Sequence, residues 1–201
     1  MKKDLIILFC RYPVPNRTKT RLIPDIGPVG AAELHHKFVL RALQTIDRAA
    51  KRYGYDIEVC FDGTSTKKAS KWLGTSRVYS VQKGEGLGEK LDSAFNETFM
   101  KGYKRIVLIG TDIPGLTLGH IKHAFETLHH EDLVLGPSND GGYWLVGMRK
   151  YSNIFTVDNW GGSNVLEQTI MLAGDNGLSF ELLEYDEETG RNIQRFYRRE
   201  S

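Results

Sequence analysis

The chain has 201 residues, a formal net charge of +2, 40% hydrophobic residues and 26% charged residues. So small a net charge makes no electrostatic case for nucleic acid, and the composition is that of an ordinary soluble domain. No apolar run approaches the roughly 20 residues of a membrane-spanning helix. The apolar stretch behind Met1-Lys-Lys is cut by Arg11 and has no small-residue cleavage site, so a cytoplasmic protein is expected.

In chain order, Leu5 to Phe9 is predicted as a buried strand. A helix is predicted from Gly30 to Tyr53, with Leu34, Phe38, Ala42, Ile46, Ala49 and Tyr53 on one stripe. Asp56 to Phe61 is a second strand, and Asp62-Gly63 turns the chain away. A weak helix over Lys67 to Leu73 and a short strand over Arg77 to Val81 follow. Gly88 to Met100 is helical, with Leu91, Ala94, Phe95 and Thr98 facing inward. Arg105 to Ile109 reads as a central strand buried on both faces. Thr117 caps a helix whose stripe is Leu118, Ile121, Ala124, Phe125 and Leu128. Strands at Leu133 to Leu135 and Tyr143 to Gly147 precede a helix capped by Ser163 and ended at Gly174. Phe180 to Leu183 closes the strand set, and a basic terminal helix carries Arg191, Arg195, Arg198 and Arg199. This alternation predicts one domain over 1–201: an α/β three-layer sandwich with a mixed, mostly parallel sheet and helices on both faces. Cys10 and Cys60 end strand-like runs and read as buried thiols; on neighbouring strands a bridge is geometrically allowed but not expected.

In such a sheet, ligands bind at the carboxyl ends of the strands. Four loops fall there. After the central strand comes Ile-Gly110-Thr111-Asp112-Ile-Pro114, which offers a carboxylate suited to a divalent ion, or merely to a turn. After the first strand, Pro13 and Pro15 stiffen a loop that alternates Arg17, Lys19 and Arg21 with threonines. In an extended segment the three cations would form one row, suited to a di- or triphosphate. This is not a P-loop, because the Gly-Lys-Ser/Thr ending is missing. Gly84, Gly86 and Gly88 lead into a helix and would let a backbone approach a ligand. Asp140-Gly141-Gly142-Tyr143-Trp144 suits either a hairpin turn or a sugar or base; alternation puts the two rings on opposite sides. Trp160 reads as core or lid anchor. His35 and His36 read as helix surface, and His120 and His123 share a face without a third zinc ligand.

Together these loops resemble the bacterial glycosyltransferase-A-type family often labelled "selenodomain-associated transferase", within the nucleotide-diphospho-sugar transferase superfamily. The resemblance rests on the Lys-Thr-Arg loop, Gly-x-Gly-Leu-Gly-Glu, Ile-Gly-Thr-Asp-x-Pro, Leu-Gly-Pro-x-x-Asp-Gly-Gly-Tyr, and a Trp ahead of Val-Leu, from about Leu5 to about Asn192. It implies a transferase using Mg²⁺ or Mn²⁺. Arg17, Lys19 and Arg21 would hold phosphates, with Gly84, Gly86 and Gly88 near the base or ribose. Asp112 would be a metal ligand with Thr111 beside it in the cofactor-binding set, and Asp140, Gly141, Gly142 and Tyr143 would face sugar or acceptor. Asp112, Lys19 and Asp140 would carry catalysis, and Glu188 would be the second metal ligand.

The chain departs from the family at Asn16 (usually Gly), Lys90 (commonly Arg), Gly162 (usually Thr) and the segment Asp186-Glu-Glu188-Thr-Gly-Arg-Asn192, where an Asp-x-Asp-Thr-Pro-Glu-Asp pattern is usual. The expected activity is glycosyl transfer from a nucleotide-sugar to a small-molecule acceptor. The alternatives are nucleotidyl transfer from a nucleoside triphosphate, with release of pyrophosphate, and a non-catalytic nucleotide-binding protein. No nucleic acid partner and no membrane span are expected, and the sequence is compatible with a homodimer.

Overall fold

Leu5-Ile-Ile-Leu8 is buried on both faces, and a strand of that kind needs helices above and below it. The computed structural model describes residues 4–183 and supplies both layers. Glu188, Asn192 and the basic terminal segment lie outside the described residues. The strands are β1 (Asp4–Arg11), β2 (Asp56–Asp62), β3 (Val78–Val81), β4 (Arg105–Ile109), β5 (Leu133–Pro137), β6 (Tyr143–Met148) and β7 (Phe180–Leu182). They form one seven-stranded sheet in the order β3-β2-β1-β4-β6-β5-β7. Only β6 runs against its neighbours, pairing antiparallel with β4 and β5.

The helices are α1 (Ile23–Tyr53), α2 (Thr66–Leu73), α3 (Leu87–Met100), α4 (Leu118–Thr127) and α5 (Val165–Asp175). Val39, Ala42 and Ile46 of α1, Ala69 of α2 and Ile121 and Phe125 of α4 join one core with Ile6, Leu8 and Val107. Leu91 and Phe95 of α3 and Ala173 of α5 join a second core with Leu5, Ile7, Ile106 and Leu108. Odd and even positions of β1 thus feed opposite layers, as strand alternation demands. Among the described residues no helix is long and apolar enough to cross a membrane.

Several expectations are corrected. The first long helix starts earlier than Gly30: Gly27 breaks it at φ 71, and Pro28 begins the uninterrupted part, where a missing N–H costs nothing. Asn164, not Ser163, sits at the cap of α5 and makes no side-chain cap bond. The thiols of Cys10 and Cys60 are buried and free, as expected; they lie in opposite core layers, so the bridge that neighbouring strands would allow is excluded by side-chain direction. Nor is His35 on the surface. It is buried, and its Nε2 lies 2.9 Å from the Arg11 carbonyl. His36 accepts a 2.7 Å bond from the Trp72 indole.

Candidate functional site

β1 has β2 on one side and β4 on the other, so the chain's direction of progress through the sheet reverses between β1 and β4. At such a switch point the following loops part and leave a crevice. Those two loops are the Pro-rich segment after β1 and the Thr111–Asp112 segment after β4. Lys19 and Asp112 meet there, with Nζ 2.9 Å from Oδ1.

The first loop is not extended. Arg17 N–H donates to the Val14 carbonyl, closing a turn. Asn16 has φ 64, the left-handed conformation that Asn tolerates in place of glycine. Thr18 is buried, and its Oγ1 accepts from Val14 N–H at 3.0 Å. Lys19 is itself left-handed, at φ 48 and ψ 47, and precedes a 3₁₀ turn over Thr20–Leu22. A single row of three cations is therefore not what forms. Lys19 turns inward, its side chain 8% exposed and its ammonium 4.7 Å from the centre of the buried Phe38 ring. Arg17 and Arg21, two residues before and after it in the chain, stay exposed. Asp112 is open, its side chain 65% exposed, while Thr111 behind it is buried. Burial pushes the imidazole of His35 below its ordinary value.

A second charged cluster sits at the ends of β1 and β2. Asp62 Oδ2 accepts from Lys90 Nζ at 2.9 Å and from Arg11 at 3.3 Å, and Gly63 N–H donates to its other oxygen. The bond from Lys90 is the main reason that the Asp62 carboxyl is held below the usual carboxylate range. Gln82 spans the neighbouring carbonyls, donating from Nε2 to Cys10 at 3.0 Å and to Cys60 at 3.1 Å. Sequence reading passed over Asp62 because Asp-Gly is also a turn signal. Its partners come from residues 51 and 28 positions away, and no local pattern reveals them.

The glycines divide into two kinds. Gly84 has φ 120, and a Cβ there would fall 2.5 Å from that of Glu89. Gly88 lies inside α3, where a Cβ would meet the Phe155 carbonyl at 2.4 Å. Gly141 has φ 84 and lies flat against the Ser163 carbonyl, while its own carbonyl accepts from Leu166 N–H at 2.9 Å. These three serve packing. A Cβ on Gly86 would meet nothing within 4 Å, and one on Gly142 nothing nearer than 3.4 Å; those two leave open backbone at this edge.

The stretch from Asp140 to Gly142 is the β5–β6 hairpin turn. Asp140 Oδ1 accepts from Ser138 Oγ at 2.5 Å and from Gly142 N–H at 3.3 Å, which closes the turn. Tyr143 then points away from the edge. Its hydroxyl is buried toward Thr169, desolvation raises its pKa, and its ring packs on Trp160 at 6.2 Å. Trp160 is thus partly buried and packs against the core. Trp144 faces the α4 side, 5.5 Å from His120, and Gly136 leaves room for its ring. His120 belongs to the capping box of α4, and His123 pairs with Glu181 at 3.1 Å.

Among the described residues no three His, Cys, Asp or Glu side chains converge as a metal cage. Asp112 alone is the donor set that suits magnesium-type ions, which take one or two carboxylates and complete their shell with water and substrate phosphates. A cavity of about 580 Å³ opens at the opposite edge, lined by Phe99, Tyr103, Lys104, Arg105, Leu128, His129 and Arg149. It lies at the amino ends of the parallel strands, away from the crevice.

A switch-point crevice is where open α/β sheets of many kinds bind ligands; comparisons place this chain in the nucleotide-diphospho-sugar transferase fold. A crystal structure from Desulfovibrio desulfuricans G20, provisionally described as a nucleotide-diphospho-sugar transferase, is 33% identical. The match covers 91% of this chain and 80% of that one, with a TM-score of 0.84. The synthase of 4-diphosphocytidyl-2C-methyl-D-erythritol from Anaerococcus prevotii DSM 20548 shares the fold at 9% identity, covering 98% and 96% of the two chains (TM-score 0.59). So does a CMP:2-keto-3-deoxy-manno-octonic acid synthetase complexed with CTP, at 11% identity over the whole of both chains (TM-score 0.56). No curated protein matches the chain. Residues 45–162 match the family described as "Uncharacterized protein conserved in bacteria (DUF2064)", and the chain belongs to that family.

Proposed function

We propose that this protein is a metal-dependent transferase whose donor is a nucleotide-sugar, bound with its diphosphate in the crevice between β1 and β4. The observation that carries this reading is the meeting of Lys19 with Asp112 at the switch point, on a loop that also carries the exposed Arg17 and Arg21. Arg17 and Arg21 bind the diphosphate, and Lys19 acts on it as a point charge. Asp112 holds Mg²⁺ or Mn²⁺, and Glu188 would be a second ligand. An ion held there would supply positive charge to offset the charge of the phosphate leaving group. The open backbone at Gly86 faces the base or ribose, and the Asp140–Gly142 turn faces the acceptor. The 33% identical relative supports the donor class.

Nucleotidyl transfer is the second reading, and one observation favours it. Lack of glycine in the first loop argues against the tight turn that a triphosphate cradle needs. Asn16 and Lys19 nevertheless make left-handed turns there without glycine. The fold relatives named for CMP- and diphosphocytidyl-synthesis, one of them complexed with CTP, support this reading as well.

A thermal-shift screen of nucleoside triphosphates and nucleotide-sugars, each with and without Mn²⁺, tests both. At 100 times Kd, a ligand adds about 2.7 kcal/mol, or roughly 5–10 °C in a chain of this size. A Mn²⁺-dependent rise with one nucleotide-sugar is the expected result. A stronger rise with a bare triphosphate selects the second reading, and no rise in folded protein refutes both.

A further inference from the structure

An ammonium that is nearly buried needs a counter-ion, because desolvation penalises an isolated charge heavily. Lys19 is such a group. Its side chain is 8% exposed, it lies against the Phe38 ring, and Asp112 accepts its charge at 2.9 Å. The backbone supports this placement, since Lys19 holds a left-handed conformation that is costly for a residue with a Cβ. Asp112 is therefore occupied twice over: it is the carboxylate offered to a divalent ion and the anion that neutralises Lys19.

We propose that Lys19 is the resident counter-ion of Asp112, so that the divalent ion and the phosphates enter this site as a pair and each binds weakly alone. The inference rests on the reading of Asp112 as metal ligand. A cation arriving by itself meets a carboxylate already neutralised, with an ammonium within 3 Å of it. An anion arriving by itself finds the Lys19 charge already satisfied. A phosphate that draws Lys19 away leaves Asp112 bare for the ion, and the ion in turn leaves Lys19 to the phosphate. Such coupling is reciprocal by thermodynamic necessity. Arg17 and Arg21, exposed on the same loop, would give the phosphates a first point of attachment before Lys19 moves.

The test uses the full chain, stripped of metal, as wild type, Lys19→Met and Asp112→Asn. Methionine keeps apolar bulk over Phe38 while removing the charge. Mn²⁺ binding without nucleotide is followed by the electron paramagnetic resonance signal of the free ion. Inorganic pyrophosphate binding is followed by calorimetry in the presence of a chelator. Lys19→Met is expected to bind Mn²⁺ alone about fivefold more tightly and pyrophosphate about fivefold more weakly, the upper end of what a surface ion pair is worth. Asp112→Asn should do the reverse: it loses Mn²⁺ and binds metal-free pyrophosphate more tightly than wild type. If Lys19→Met shows no gain for Mn²⁺ while Asp112→Asn still loses it, the counter-ion proposal is overturned and Asp112 stands as the metal ligand. If Asp112→Asn binds Mn²⁺ like wild type, the metal reading itself is wrong. Should Lys19→Met melt before the assay temperature, Lys19→Gln carries the same comparison.

Discussion

Gly88 offers a sharp test of whether a glycine near the crevice serves a ligand or the core. In Gly88→Ala the new Cβ would stand 2.4 Å from the Phe155 carbonyl oxygen and 2.7 Å from Trp160 Nε1. Ordinary contact begins at 3.4 Å, so a backbone carbonyl must retreat by about 1 Å, along with an indole ring. Overpacking of this kind costs about 1–3 kcal/mol. Better helix propensity returns at most about 1 kcal/mol. The expected net loss is therefore about 1–2 kcal/mol, a fall in Tm of roughly 2–8 °C for a chain of this length. Calorimetry gives the Tm, and tryptophan emission should shift because Trp160 is one of the groups displaced. Gly86→Ala is the contrast: nothing lies within 4 Å of its Cβ, so Tm should barely move while nucleotide affinity falls. The reasoning is refuted if Gly88→Ala keeps wild-type Tm and emission and loses only nucleotide binding.

Asp112→Ala should abolish any Mn²⁺-dependent thermal shift produced by a nucleotide ligand; an unchanged shift would move the metal elsewhere. Asp62 is held below the usual carboxylate range, chiefly by Lys90, so its stabilisation is complete above its ordinary value of 3.8 and lost as pH falls through the folded value. Asp62→Asn should accordingly cost about 0.5–1 kcal/mol at pH 7 and progressively less below pH 4, read from urea melts across that range. A penalty that is the same at pH 3 and pH 7 would contradict that origin. Burial pushes the Cys10 thiol up to about 12 and the Cys60 thiol up to about 11, so neither should react with a thiol reagent at pH 8 until denaturant is added. Rapid labelling of folded protein would show that one of the two core layers opens.

Much of the fold can be read from the sequence because burial leaves periodic marks. The run from Ile106 to Ile109, short, rich in β-branched residues and bounded by Gly110 and Pro114, reads as a strand covered on both sides, and Ile121, Ala124 and Phe125 repeat as one helix face must. The candidate site is legible only in part. Asp112 and Lys19 stand out by their positions after strands, but alternation placed Arg17, Lys19 and Arg21 in a row. Thr18 goes inward and Lys19 turns left-handed, which no two-residue period conveys. His35 is hidden by its neighbour: it lies beside Leu34 on an apolar face wider than a simple stripe, while His36 looks toward Trp72. The environment of Asp62, shared by Arg11 from β1 and Lys90 from α3, exists only once three distant segments meet.

The sheet has two rims, and they have been put to different uses. The parallel strands β1, β2, β3, β4 and β5 all deliver their carboxyl ends to one rim. Reversed β6 adds its start to the same rim, and parallel β7 ends there too. At the other rim the chain passes by short links, such as Gly54–Tyr55 between α1 and β2 and 101–104 between α3 and β4. New substrate preferences can therefore arise by rewriting one set of loops while the joints that hold the layers stay as they are. For the engineer the same division is a map: affinity tags, cuts and inserted segments belong at Gly54 or Gly102, and sequence diversity meant to reshape the crevice belongs between Pro13 and Arg21.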